Sequence, residues 1–263
     1  MSTTYDDVAR DMAISDLHGE AVMARAALEQ AIFVFVEGDS EELALPLLFT
    51  DILDLEAVGA KIANYNGHGN LRAALRLLKL TLTHDRPIVV THDNDPETMA
   101  SVRRCKEQNL LGDLTCLFPI PTEPVVTYPC GHVGGSFEES FSVEMFLNAA
   151  FTDRILPTSF IAQRASFESA FNPGKPWLRQ LQKFTADLGF TDWSTCKPLL
   201  AEALATECDE LPLTFSRLAT VIQEVRAKHP VVHPDDVELT KVPGLTYFPE
   251  KESPNKPSGG DVK

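Results

Sequence analysis

The stretch Ala31-Ile-Phe-Val-Phe-Val36-Glu37-Gly38-Asp39-Ser40-Glu41 decides the fold class. Its first six residues are a continuous apolar run rich in β-branched and aromatic side chains, the pattern of a strand buried on both faces of a parallel sheet. Gly38 permits a turn that exposes Glu37, and Asp39 or Ser40 can cap a helix from about residue 41 to 49. Working outward, the order repeats. A strand over 61–65 leads through the loop Asn66-Gly-His-Gly-Asn70 into a helix over 71–80. A strand over 87–91 ends at His92-Asp-Asn-Asp95, and Pro96 suits the first turn of a helix running to about 109. Residues 114–120 supply a fourth strand. Strand, acidic loop and helix recurring three times within 120 residues predict a central parallel sheet flanked by helices, an α/β fold. Functional groups at the carboxyl ends of such strands converge on one sheet edge, and Glu37, His68, Asp93 and Asp95 all fall there.

Around this core, residues 1–30 read as a leading helical segment, with Val8, Met12, Leu17, Val22 and Leu28 at helical spacing. The core itself extends over 31–125. After the Pro-rich stretch 118–129 and the glycine loop 131–135, residues 126–230 read as mainly helical and as completing the site. The tail 231–263, rich in Pro, Lys, Glu and Gly, reads as extended and partly disordered.

The chain has 263 residues, with 38 acidic against 23 basic side chains and a formal net charge of −15. That balance excludes a protein that coats nucleic acid by bulk electrostatics. A hydrophobic fraction of 44% is that of a chain with a packed core. No apolar stretch approaches the roughly 20 residues of a membrane helix, and the acidic N-terminus lacks the features of an export signal, so a cytoplasmic location without membrane attachment is expected. Five scattered cysteines without a Cys-x-x-Cys pair read as reduced thiols. Cys130 and His132 could supply half of a zinc site, but no second pair stands at a suitable spacing.

The chemistry concentrates in two acidic strand ends, Glu37-Gly-Asp-Ser-Glu41 and Asp93-Asn-Asp95. An Asp-x-Asp turn can send both side chains to one side, and hard divalent cations take several oxygen ligands from such an array. Helix capping and solvated loop tips are the plain alternative for any one of these acids. Arg72, Arg76 and Lys79 share one helix face, Lys175, Arg179 and Lys183 repeat the spacing, and Arg103, Arg104 and Lys106 form a further basic cluster.

The order apolar strand, Glu-Gly, helix, Gly-containing loop, apolar strand, Asp-x-Asp resembles a Rossmann-like TOPRIM domain, the metal-dependent module of topoisomerases, bacterial primases and several nucleases. Within that group, Glu37-Gly-Asp-Ser-Glu41-Glu-Leu-Ala-Leu-Pro46 and Asn66-Gly-His-Gly-Asn-Leu71 resemble the OLD (overcoming lysogenization defect) family nucleases, chiefly over residues 30–120. The resemblance implies metal-dependent phosphodiester hydrolysis of DNA, with RNA or tRNA as alternatives. Glu37, Glu41, Asp93, Asp95 and Glu138 would hold one or two Mg²⁺ or Mn²⁺ ions, and Glu37, Asp93, Asp95 and Lys197 would carry catalysis. Glu139 or Glu144 could replace Glu138, and Lys175 or Lys183 could replace Lys197. Arg72, Arg76, Lys79, Arg103 and Arg104 would guide the nucleic acid. OLD proteins usually join this module to an ABC-type ATPase, but no Walker-type loop occurs in this sequence. An ABC- or SMC-like ATPase as a separate chain, a homo-oligomer and a role in antiviral defence are therefore the implied setting. A catalytically silent TOPRIM-like regulatory subunit is the alternative, and a phosphatase-like hydrolase with Asp93 as nucleophile a further one that leaves Glu37-Gly38 unexplained.

Overall fold

Four parallel strands in the order β2-β1-β3-β4 form the centre of the fold in a computed structural model that describes residues 5–81 and 86–233. They are β1 (Ile32–Val36), β2 (Ala60–Asn64), β3 (Ile88–Asp93) and β4 (Thr115–Ile120). Registers such as Val34↔Ile62, Val34↔Val89 and Val90↔Leu117 align them. Helix α1 (Tyr5–Glu29) precedes the sheet, and α2 (Asp39–Phe49), α3 (Leu71–Thr81) and α4 (Pro96–Glu107) connect successive strands.

The two-residue period of each strand divides the core in two. Ile32, Val34 and Val36 pack with α2 into the larger cluster, whereas Phe33 and Phe35 point to the other face, with Leu71, Leu75 and Val102. β1 and β3 pair side by side, but their following connections lead to opposite edges of the sheet, β2 on one side and β4 on the other. The crevice between the carboxyl ends of β1 and β3 is thus the topological switch point, where open α/β sheets place their ligands. Glu37 and Asp93 stand at that crevice.

Two local expectations are corrected. β3 extends to Asp93, so Asp93 ends a fully buried strand rather than opening a loop. Gly38, not Asp39 or Ser40, occupies the N-cap of α2, because the Glu41 carboxylate turns back to accept the Gly38 N–H at 3.1 Å.

Beyond β4, a hairpin of β5 (Val126–Thr127) and β6 (Val133–Gly134) interrupts the expected helical run. It continues as a bridge between Asn94 and Gly135. A Cβ at Gly134 would stand 1.8 Å from the Asn94 carbonyl oxygen, so only glycine lets the hairpin approach the Asp-x-Asp turn. A short 3₁₀ turn (Phe137–Ser140) follows, then α5 (Val143–Ala150), α6 (Thr158–Ile161), α7 (Arg164–Ala170), α8 (Trp177–Asp187), α9 (Cys196–Thr206) and α10 (Leu213–Lys228). Helix α9 packs along α2, and α10 meets α2 and β1, so one apolar core runs from the sheet into the helical half. The expected tail lies, from residue 234 on, outside the described residues. No described helix is long and apolar enough to cross a membrane.

Candidate metal centre

Glu37 follows β1 directly, and its carboxylate is clamped by three separate elements. Oε2 accepts the Asp93 N–H at the end of β3 (3.2 Å), Oε1 accepts the His68 N–H from the β2–α3 loop (3.2 Å), and the Thr98 hydroxyl lies 3.4 Å from both oxygens. Backbone donors hold it in one place at the switch point. His68 Nδ1 stands 3.8 Å from Oε1.

Asp93 is buried, and its Oδ1 has no hydrogen-bond partner; Glu138 Oε1 is buried in the same condition. Leaving a buried carboxylate oxygen unpaired is costly, so two around one cleft call for a cation. Glu138 sits on the 3₁₀ turn that the hairpin brings to the sheet edge, and its other oxygen, Oε2, lies 2.9 Å from Ser136 Oγ. Lys197 arrives from α9. Glu37, Asp93, Asp95, Glu138 and Lys197 together line one cleft of about 220 Å³ with Ser136, Tyr128 and Arg179.

The other expected ligands make hydrogen bonds of their own. Glu41 is buried behind the cleft against the Gly38 amide. Asp95 lines the cleft, yet its Oδ1 accepts the Thr98 N–H at 2.7 Å and caps α4. Glu139 is taken up by backbone amides, with Oε2 accepting the Ser136 N–H (2.7 Å) and Oε1 the Trp177 N–H at the start of α8 (2.6 Å). Glu144 is exposed on α5. Lys175 and Lys183 line another groove, on α8, with Phe167 and Phe184. Arg72 and Arg104 line a small pocket beside His68, Arg76 reaches Gln108 (3.2 Å), and Arg103 is exposed. The Lys79 side chain lies outside the described residues.

The electrostatics follow from burial. Burial pushes Glu41 up to about 7, opposed by Lys197 and reinforced by Glu37 and Glu138. Burial first, then Glu37 and Glu41, hold Asp93 well above the usual carboxylate range. The carboxylates act in reverse on Lys197: Glu138 above all keeps its ammonium charged against the opposing effect of burial. Nevertheless, no ion pair within 4 Å among the described residues includes Lys197, so cation and carboxylates line the cleft without closing on each other. His92 is buried, its Nδ1 3.0 Å from the Asp93 carbonyl oxygen, and burial lowers its pKa, leaving a neutral ring. Burial likewise keeps the Tyr128 hydroxyl protonated.

Among the described residues, no three carboxylate, imidazole or thiol groups form a closed metal cage. Cys130 is exposed, and His132 instead lies 3.0 Å from the Asn94 carbonyl oxygen through Nε2. The donor set still fits a hard ion of the Mg²⁺ kind, which keeps several waters and takes one or two protein carboxylates beside a phosphate oxygen. Asp93 and Glu138, each with one buried oxygen lacking a hydrogen-bond partner, are the carboxylates that would hold such an ion. Ser136, Thr98 and His132 belong to the site's scaffold; their only sequence signals are local, Thr98 three residues after Asp95 and Ser136 three before Glu139 at capping spacing, and His132 near Cys130.

Residues 32–95 match the family model of the overcoming lysogenization defect protein-like TOPRIM domain. No curated protein matches the chain. Among solved structures it is similar to the C-terminal region of the Xanthomonas campestris pv. campestris OLD protein, at 17% identity and a TM-score of 0.46, over 76% of this chain and 98% of that one. It is also similar to the C-terminal region of the Burkholderia pseudomallei OLD protein, at 17% identity and a TM-score of 0.42, over 74% and 97% of the two chains. Domains of the matched kind generally bind divalent metal and point to metal-dependent processing of nucleic acid. The segment from β1 to the Asp-x-Asp turn is a TOPRIM domain resembling that of the OLD proteins.

Proposed function

We propose that the protein is a Mg²⁺- or Mn²⁺-dependent nuclease that hydrolyses phosphodiester bonds at the cleft between β1, β3 and the 3₁₀ turn. One observation carries the reading: Asp93 and Glu138, each with one buried carboxylate oxygen that has no partner, line the same cleft as a charged lysine. A divalent ion bound there supplies charge neutralisation at a phosphate and an activated water. Asp93 and Glu138 are the residues that would hold it. Glu37, fixed by the Asp93 and His68 amides, adds negative charge and keeps the ends of β1 and β3 together. Asp95 locks α4 in place and thereby the Thr98 hydroxyl against Glu37. Lys197, kept protonated by Glu138, stands to donate to a phosphate oxygen as charge builds there or to the leaving oxygen. Control by a separate ATPase chain, in a defence setting, forms part of the proposal through the resemblance alone.

The test is cleavage of plasmid DNA and of transfer RNA by the purified chain with Mg²⁺, Mn²⁺ or EDTA. Metal-dependent cutting that disappears in folded Glu37→Ala and Asp93→Ala proteins supports the proposal. Equal cutting by all three proteins, or none by the wild type on either substrate, removes it.

A further inference from the structure

Beside the cleft, on the face of the sheet covered by α3 and α4, lies a separate pocket of about 200 Å³ lined by His68, Gly69, Arg72, Ser101 and Arg104. It opens at the amino-terminal end of α3, an 11-residue helix whose dipole favours an anion there. Arg104 Nη2 donates to the buried Ser101 hydroxyl at 3.0 Å, which orients the guanidinium over the pocket. Neither Arg72 nor Arg104 takes part in an ion pair within 4 Å among the described residues. In a chain of net charge −15, a concave site with two exposed guanidiniums that form no ion pair among the described residues, and with no carboxylate in its lining, is suited to an anion. Burial raises the Cys105 thiol pKa, and Arg72, Arg104 and Arg76 all pull it back, so three cationic fields overlap along the seam between α3 and α4. The pocket is also tied to the metal centre. The loop that forms its wall is the one whose His68 amide clamps Glu37, with His68 Nδ1 3.8 Å from the same carboxylate.

We propose that this pocket is a phosphate-binding subsite, distinct from the metal centre, that holds a second phosphate of the polynucleotide being cut. The proposal rests on the nuclease reading of the neighbouring cleft. Planar guanidinium forks match phosphate oxygens in pairs, and a ligand held there anchors the chain beside the cleft without using the acidic centre. The basic groups read from the sequence thereby separate: all three side chains are exposed, but Arg72 and Arg104 line a formed pocket and Arg103, next in the chain, does not. The phosphate held is either a terminal phosphomonoester or an internal phosphodiester of the strand.

The experiment measures binding of a short 3′-labelled single-stranded oligodeoxynucleotide, with and without a 5′-phosphate, by fluorescence anisotropy in EDTA and moderate salt. The full-length wild type is compared with Arg72→Gln/Arg104→Gln and with Lys61→Gln/Arg86→Gln, which removes the same charge from exposed positions outside the pocket. The pocket variant is expected to lose about tenfold in affinity or more, and the control clearly less. A 5′-phosphate that strengthens wild-type binding, with the gain lost in the pocket variant, identifies a terminal monoester. Equal binding of both oligonucleotides, each weakened in the pocket variant, identifies an internal diester. Equal loss in both variants, or no loss in either, overturns the subsite. Because no metal is present, a wild type that binds through the pocket yet never cuts with Mn²⁺ would remove the nuclease reading and leave the phosphate pocket standing.

Discussion

Replacing Glu41 by glutamine should make the metal-free protein more stable at neutral and alkaline pH, and the amount follows from its surroundings. Glu41 is buried, with Oε2 on the Gly38 amide, and its carboxyl is pushed from 4.5 to about 7, chiefly by burial. A folded-state pKa above the unfolded value means that the folded protein binds the extra proton between pH 4.5 and 7. Stability must then fall as pH rises through that window and level off above it. At 1.36 kcal/mol per pH unit the loss is about 3 kcal/mol. Glutamine has the same shape, keeps an acceptor for the Gly38 N–H and carries no proton to lose. Near pH 4 wild type and Glu41→Gln should melt alike, and by pH 8 the variant should melt higher by about 6–12 °C at this chain length. The assay is thermal unfolding followed by circular dichroism in EDTA at steps between pH 4 and 8, repeated with saturating Mg²⁺. The ion should narrow the gap at pH 8 by offsetting the crowded negative charge. A constant offset between the two proteins at every pH, or a variant less stable than wild type at pH 8, would refute the reasoning.

Three further outcomes follow from the same geometry. Asp93→Asn replaces a buried carboxyl that burial, Glu37 and Glu41 hold against ionisation and whose Oδ1 has no partner, so it should raise the metal-free melting temperature at pH 8 while abolishing cleavage, a gain in stability set against function that unfolding and nuclease assays read together. Lys197→Met removes the cation but no carboxylate; Mn²⁺ binding should persist while turnover falls by about 10²–10³, and parallel losses of both would argue against its assigned role. Gly134→Ala places a methyl 1.8 Å from the Asn94 carbonyl oxygen, so the hairpin must withdraw from the Asp-x-Asp turn; cleavage should drop sharply while circular dichroism at 20 °C stays native.

The sheet was legible because each of its four strands is an apolar run closed by a turn signal, and the strand edges shifted by one or two residues only. The β5–β6 hairpin was not, since two-residue strands have no periodicity to detect and are held by Gly134 against Asn94, a contact made only in three dimensions. Glu37 and Asp93 stood out as acids ending apolar strands. That Asp95 also caps α4 and Glu41 also holds the Gly38 amide could not be read from the sequence, because a capping carboxylate and one facing a cleft look the same until hydrogen bonds are counted. Glu138 and Lys197 entered through resemblance alone. The packing of α9 on α2 and the 3₁₀ turn after the hairpin set them beside Asp93, and neither has a local signature. Glu138 and Glu139, adjacent in sequence, part for a physical reason: Glu139 is taken up by two backbone amides, whereas Glu138 keeps one oxygen unpaired.

The central claim is that Asp93 and Glu138 together hold a divalent ion. Titration of Mn²⁺ into the metal-free protein, with free ion read by electron paramagnetic resonance at pH 8, tests it most directly against Asp93→Asn/Glu138→Gln, in which both unpaired oxygens lose their charge. The account predicts saturable binding of one or two ions by the wild type and its loss in the double variant. Equal binding by the two proteins, or no saturable binding by the wild type at millimolar Mn²⁺, would contradict it.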